Sequence, residues 1–216
     1  MEKKIFIGAA YYPELWDERE IEKDILRCKE LGVNTLRIGE FAWSKMEPKE
    51  GEYNLSWLLR IVEELYKNGI NTVICTPTCT PPRWMLNKYP EMRRVMPDLN
   101  RSDVSSRCHV CKSSKTAREK NALIVTEMAK TFAGVEGIIG WQIDNELFPY
   151  DDGCFCEDCK NGFRSYLRDK FGTTEKLNKA WGMARWSLEY NSFEEIEPPY
   201  PNQWRHPSLR KAWWDY

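Results

Sequence analysis

Residues 137–146, GIIGWQIDNE, form an apolar run that ends in an acid, an amide and a second acid. A short apolar run bounded by glycine and polar residues reads as a strand buried on both faces, with its chemistry gathered at the C-terminal end. Three earlier stretches repeat the theme: KIFIGAAY at 4–11, VNTLRI at 33–38 and INTVICT at 70–76. Helical periodicity fills the gaps between them. The segment from Trp16 to Leu31 puts Ile21, Ile25 and Leu31 near one face, with Gly32 as its stop. From Leu55 to Tyr66 the stripe is Leu58, Leu59, Val62 and Leu65, stopped by Asn68 and Gly69, and a further helix is expected from Thr116 to Thr131. The stretch from Pro77 to Lys115, rich in Pro, Arg and Cys, reads as irregular. Strands alternating with helices predict a parallel α/β sheet, either a barrel or a doubly wound sheet. No GxGxxG or phosphate loop follows any of the strands, which tilts the choice toward a (β/α)8 TIM-barrel type.

A complete barrel of that type takes about 250 residues. The chain has 216, and only four strands have credible patterning. The expectation is that about the first four βα units are present, so that residues 1–216 are the N-terminal portion of a catalytic barrel. The remainder, from Phe171 onward, carries Trp181, Trp186, Trp204, Trp213 and Trp214 among Pro198, Pro199, Pro201 and Pro207, and reads as a long ordered excursion.

With 42% hydrophobic and 30% charged residues the chain can bury a sizeable core. Its 32 Lys and Arg nearly balance 33 Asp and Glu, so no strong field points to nucleic acid or to an anionic membrane. The start, MEKKIFIGAA, has no signal-peptide apolar region, and a cytoplasmic protein is expected. Ten tryptophans exceed what core packing usually needs, and such a surplus suits either ring-bearing ligands or the core itself.

In a barrel the chemistry sits on the loops that follow the strands. Those positions read YYPE, GEFAW, TPTCTPPRW and DNE, against LGVN, NGIN and GVEG at the opposite ends. Cleaving a glycosidic bond needs a proton donor for the leaving oxygen and a second carboxylate as nucleophile or base. Glu146 suits the donor, with Trp141, Phe148 and Tyr150 placed to desolvate it, and Asn145 can hydrogen-bond a sugar hydroxyl. On pattern alone, a glutamate capping the next helix is an equal reading.

The second cluster is CFCEDC at 154–159, together with CHVC at 108–111. Four thiolates at short spacing from two segments describe a tetrahedral structural zinc site with no open position. Cys108, Cys111, Cys154, Cys156 and Cys159 compete for four places, with His109 as a sixth candidate; Cys28, Cys75 and Cys79 read as packing residues. A zinc would tie the loop after the fourth strand to that after the third, within about residues 107–160. A zinc-ribbon nucleic-acid binder is disfavoured, because Asp151, Asp152, Glu157 and Asp158 surround the cysteines.

The chain resembles the N-terminal part of the glycoside hydrolase family 42 β-galactosidases. The resemblance rests on YYPELWDE at 11–18, LRIGEFAWSKMEPKEGEY at 36–53, TPTCTPPRWM at 76–85, RCHVC at 107–111, GWQIDNE at 140–146, CFCEDC at 154–159 and LNKAWGMARWS at 177–187. It implies a retaining enzyme acting on terminal β-D-galactosides, with Glu146 as acid/base and Asn145 and Arg107 contacting the sugar. It implies zinc on Cys111, Cys154, Cys156 and Cys159, with Cys108 as an extra cysteine, and a sugar-lining tryptophan for which Trp186 is favoured over Trp181. Members place their nucleophile after the seventh strand, followed by a trimerisation domain, so a homotrimer is implied for a full-length enzyme. Of the later glutamates here, Glu189, Glu194, Glu195 and Glu197 lie in the excursion, and none is assigned as nucleophile. The 216 residues alone are therefore expected to be inactive: a catalytically incomplete piece or a zinc-stabilised sugar-binding half barrel.

Overall fold

The computed structural model describes residues 5–104, 107, 109–147, 153–201 and 204–216. They fall into two compact units, the first comprising Met1–Pro90, Val104–Val110 and Arg118–Phe148, the second Glu91–Asp103, Cys111–Ala117 and Pro149–Tyr216.

The first unit is built on four parallel strands: β1 (Gly8–Ala10), β2 (Thr35–Ile38), β3 (Asn71–Cys75) and β4 (Ile138–Gln142). They lie side by side in chain order, β1-β2-β3-β4. A doubly wound sheet reverses direction at a switch point, whereas barrel winding always steps the same way. The strand order therefore carries the barrel reading that the sequence only tilted toward. Each strand is followed by helix: α1 (Glu18–Glu30) after β1, α2 (Trp43–Met46) and α3 (Ser56–Lys67) after β2, and α4 (Arg83–Lys88) and α5 (Lys115–Phe132) after β3.

These helices start and stop where local chemistry dictates. The Asp17 side chain accepts the Glu20 backbone N–H and caps α1, and Gly32 takes the left-handed φ of 72° that ends it. α3 packs on β3 and buries Trp57, Leu58, Ile61, Val62 and Leu65. Trp57 and Ile61 join the stripe, while Leu59 is only half-buried. The irregular stretch from Pro77 to Lys115 contains α4, which the prolines on either side had disguised.

β1 is shorter than the apolar run that holds it, because Asn34 intervenes. Its Oδ1 accepts the Ile7 N–H at 2.8 Å and its Nδ2 donates to the Ile5 carbonyl at 2.9 Å, beside the backbone bonds from the Asn34 and Thr35 N–H groups to the Ile7 carbonyl. In β4 the register slips by one residue at Ile139, so that Thr72 faces Ile138 while Val73 faces Gly140. Such a slip re-aims the end of a strand.

The second unit is helical: α6 (Glu157–Phe171), α7 (Thr174–Trp181) and α8 (Pro207–Asp215). Phe163, Leu167, Leu177, Phe193, Ile196, Leu209 and Ala212 form its core, with Tyr166, Phe171, Trp181, Tyr190 and Trp213 packed against them. Among the described residues no helix is long and apolar enough to cross a membrane.

Candidate active site and four-cysteine cluster

The turn after β4 is held by side chains from neighbouring strand ends. The Asp144 backbone N–H donates to the Thr76 hydroxyl at 2.7 Å, and the Asp144 carboxylate accepts the Asn145 N–H at 2.8 Å. Asp144 and Glu146 both adopt left-handed backbone, with φ of 58° and 47°. Aspartate tolerates that region through its local hydrogen bond. Glutamate has no such help, and a non-glycine residue there stores on the order of 1–3 kcal/mol of strain, a feature that concentrates at functional turns.

Glu146 is exposed and pairs with Arg107, whose Nη2 lies 3.1 Å from Glu146 Oε2; their side chains are 45% and 39% exposed. The guanidinium of Arg107 also lies 5.6 Å from the centre of the Phe41 ring, in cation–π range. The first unit thus brings together Arg107, Asn145 and Glu146, three of the expected site residues. Burial of Glu146 against aromatic neighbours is not seen: Trp141 is exposed and stacks edge-on against Phe132, 6.3 Å away. Phe148 and Tyr150 lie outside the described residues.

Behind this turn runs a polar chain that the sequence reading did not assemble. Tyr12 donates to Glu40 Oε1 at 3.4 Å, and Glu40 Oε2 pairs with Arg37 Nη2 at 2.7 Å. Arg37 Nη1 donates to Gln142 Oε1. Gln142 Nε2 then donates to the Asp144 carbonyl at 3.0 Å and to Asn145 Oδ1 at 3.4 Å. The Asn145 Nδ2 is left buried without a partner among the described residues. A signal for these residues existed: an arginine inside TLRI and a glutamine inside IIGWQ are polar groups in strands read as buried, and such groups demand partners.

The cysteines assemble in the second unit. Cys156 occupies the N-cap position of α6 and Cys159 lies in its first turn, so the two share a face. Cys111 Sγ stands 3.5 Å from Cys156 Sγ and 3.4 Å from Cys159 Sγ, and all four sulfurs of Cys111, Cys154, Cys156 and Cys159 lie within 4.8 Å of one another. All are free thiols and all are buried. Zinc–sulfur bonds of about 2.3 Å in a tetrahedron separate the sulfurs by roughly 3.8 Å. The cluster fits that spacing. Backbone pins the cluster: the Cys111 N–H donates to the Met92 carbonyl at 2.8 Å, and the Val95 N–H donates to Cys154 Sγ at 3.3 Å.

Protons are unevenly shared within this cluster. Hydrogen bonding with Cys111 pulls the Cys156 and Cys154 thiols down, Cys154 to about 7, while hydrogen bonding among the sulfurs pushes Cys111 and Cys159 up. Four adjacent sulfurs cannot all ionise without a cation among them. Cys108 lies outside the described residues, and His109 is buried in the first unit.

Trp186 belongs to the second unit. It is 66% exposed, takes a left-handed φ of 61°, has the Arg185 guanidinium 4.5 Å over its ring and meets Trp204 edge-on at 5.4 Å. Trp181 is instead half-buried on the helical core, 5.7 Å from Phe171. Of the two tryptophans, Trp186 is the one free to meet a ligand.

The model of glycoside hydrolase family 42, described as beta-galactosidase, matches residues 10–215. The chain belongs to this family. β-Galactosidase YesZ of Bacillus subtilis is 43% identical over 209 residues, which cover 96% of this chain and 32% of YesZ. The β-galactosidase structure from the Antarctic haloarchaeon Halorubrum lacusprofundi superposes with a TM-score of 0.92 at 37% identity, covering 97% of this chain and 32% of that one. The β-galactosidase from the psychrophile Marinomonas ef1 gives 0.92 at 34% identity, with the same coverage of 97% and 32%. The chain thus spans about a third of the length of the curated relatives it matches. Its four-stranded parallel sheet is the N-terminal half of a (β/α)8 barrel.

Proposed function

We propose that this chain contributes the acid/base half of a retaining β-galactosidase site, and that Glu146 protonates the leaving oxygen and later deprotonates the attacking water. The observation that carries this is the turn after β4: a strained, exposed glutamate beside an amide with an unused donor, in a chain of the β-galactosidase family. The substrate is a β-D-galactoside or galacto-oligosaccharide. Asn145 and Arg107 bind the sugar, and Trp186, in the second unit, is the candidate for the sugar-lining tryptophan that the family resemblance implies. Arg107 keeps Glu146 in place until substrate arrives, and it is free to turn to a sugar hydroxyl because the pair is exposed.

The nucleophile is a carboxylate about 5 Å from Glu146 in a retaining enzyme. It is none of the glutamates discussed above. Glu40 is buried and held by Arg37, and Glu194 and Glu197 are tied to Arg168 and to Lys160 and Arg164.

Cys111, Cys154, Cys156 and Cys159 would hold a zinc ion. With four thiolate ligands the ion has no open position, so it supplies folding energy and no chemistry. Thiols kept unpaired at this spacing support a reducing, cytoplasmic setting. The homotrimer of the full-length family pattern belongs to the same reading.

The test is to assay residues 1–216 alone, and then fused to the remainder of YesZ, against a nitrophenyl β-galactoside. The fusion is expected to turn over and to lose activity on Glu146→Gln, and the 216 residues alone to be inactive. Turnover by the 216 residues that depends on Glu146 would refute the division of the site.

A further inference from the structure

We propose that Gln142 is a positioning residue that sets the hydrogen-bonding polarity of Asn145, so that Asn145 meets its ligand as a donor. The proposal rests on the galactoside-binding reading above and adds a residue and a direction to it.

An amide side chain carries an acceptor at one end and a donor at the other and can be turned either way. Here the neighbours fix the turn. Arg37 carries only donors, so the atom of Gln142 that faces its Nη1 must be the oxygen. On the other side, 3.0 Å away, stands the backbone carbonyl of Asp144, which only accepts, so the atom facing it must be the nitrogen. Two independent partners thus fix Gln142 in one orientation. Its Nε2 also points at Asn145 at 3.4 Å, and the Asn145 atom that meets a donor must be Oδ1.

The consequence falls on Asn145 Nδ2, which is buried and has no partner among the described residues. A buried donor without a partner is rare, and in a native fold it asks for an explanation. A ligand oxygen supplies one. The ligand group is then an acceptor toward Asn145, as a sugar hydroxyl can be, and that hydroxyl keeps its own proton for another partner. The fixing chain extends back from Arg37 through Glu40 to Tyr12, so the polarity at β4 is set from the ends of β1 and β2.

Gln142→Glu tests this directly. A carboxylate still accepts from Arg37 but cannot donate, so Asn145 would turn its Nδ2 toward residue 142 and its oxygen toward the ligand. The measurement uses the 15N-labelled 216-residue protein, with the Asn145 side-chain amide signals assigned by their loss in Asn145→Ala. In Gln142→Glu those signals are expected to move downfield as Nδ2 gains a carboxylate acceptor, while the Arg37 pair is kept and the hydrogen bond to the Asp144 carbonyl is lost. In Gln142→Leu the fold should be weakened. Galactose titration should shift the Asn145 amide signals in the wild type, and Gln142→Glu should weaken binding by about tenfold. The double variant should bind no worse than Asn145→Ala alone.

Asn145 signals that stay at their wild-type positions in Gln142→Glu would overturn the proposal. So would losses that multiply in the double variant. If the wild type binds no galactose, the galactoside reading fails, while the ligand-free amide signals still decide the role of Gln142.

Discussion

The turn at Glu146 and the cluster of four cysteines gather polar groups in opposite ways. At the turn, a carboxylate is exposed, its backbone is left-handed, its partner is a solvent-facing arginine and the neighbouring amide has an unused donor. In the cluster, four sulfurs are buried against one another and further pinned by backbone N–H groups. The difference separates a place built to receive something transient from a place built to be filled once. Unmet hydrogen-bonding capacity marks the first, and mutual saturation marks the second.

The largest expected effect comes from breaking the saturated site. The unsubstituted protein is expected to carry about one zinc per chain and Cys159→Ser well below that, read by elemental analysis of the purified proteins. It should also lower the melting temperature sharply, since a structural zinc contributes on the order of 10 kcal/mol to its domain. Full zinc content in that variant would remove Cys159 from the ligand set.

Smaller is the strain stored at the turn. In an ordinary helix glycine is less stable than alanine, but at a φ of 47° the order should invert. Glu146→Gly is expected to be more stable than Glu146→Ala by about 1 kcal/mol, measured by denaturant unfolding. The reverse order would mean that the turn carries no strain.

The smallest effect belongs to the exposed ion pair. Arg107→Ala should change stability by less than about 1 kcal/mol, because an exposed pair gains little over its hydrated separate charges. The same variant should weaken galactose binding clearly, measured by titration calorimetry. A large loss of stability with unchanged binding would make Arg107 a structural residue.

Much of this was legible in the sequence. INTVICT and VNTLRI announced strands through their apolar, β-branched residues, and β2 and β3 follow them closely. Burial on both faces is not seen: β2 and the start of β3 alternate fully with partly buried residues, β1 is exposed throughout and β4 leaves Ile139 and Trp141 exposed. The cysteine spacing announced a cluster because Cys156 and Cys159 stand one helical turn apart. What stayed hidden depends on long-range pairing. Arg37 and Gln142 are 105 positions apart, and only the parallel register brings them together. α4 was hidden by its flanking prolines, and α6 by the cysteines at its start. Nor does composition predict that Glu146 would take left-handed backbone, since that follows from the Asp144 and Thr76 hydrogen bonds that shape the turn.

The central claim, that Glu146 is the proton donor to the leaving group, is tested most directly by comparing leaving groups in the fusion with the remainder of YesZ. A methyl galactoside needs its departing oxygen protonated, whereas a dinitrophenyl galactoside releases a stable anion. Glu146→Gln should cost the methyl substrate about 10²-fold or more in kcat/KM, in line with general acid catalysis, and leave the dinitrophenyl substrate within about tenfold of wild type. Equal losses for both substrates would contradict a proton-donating role.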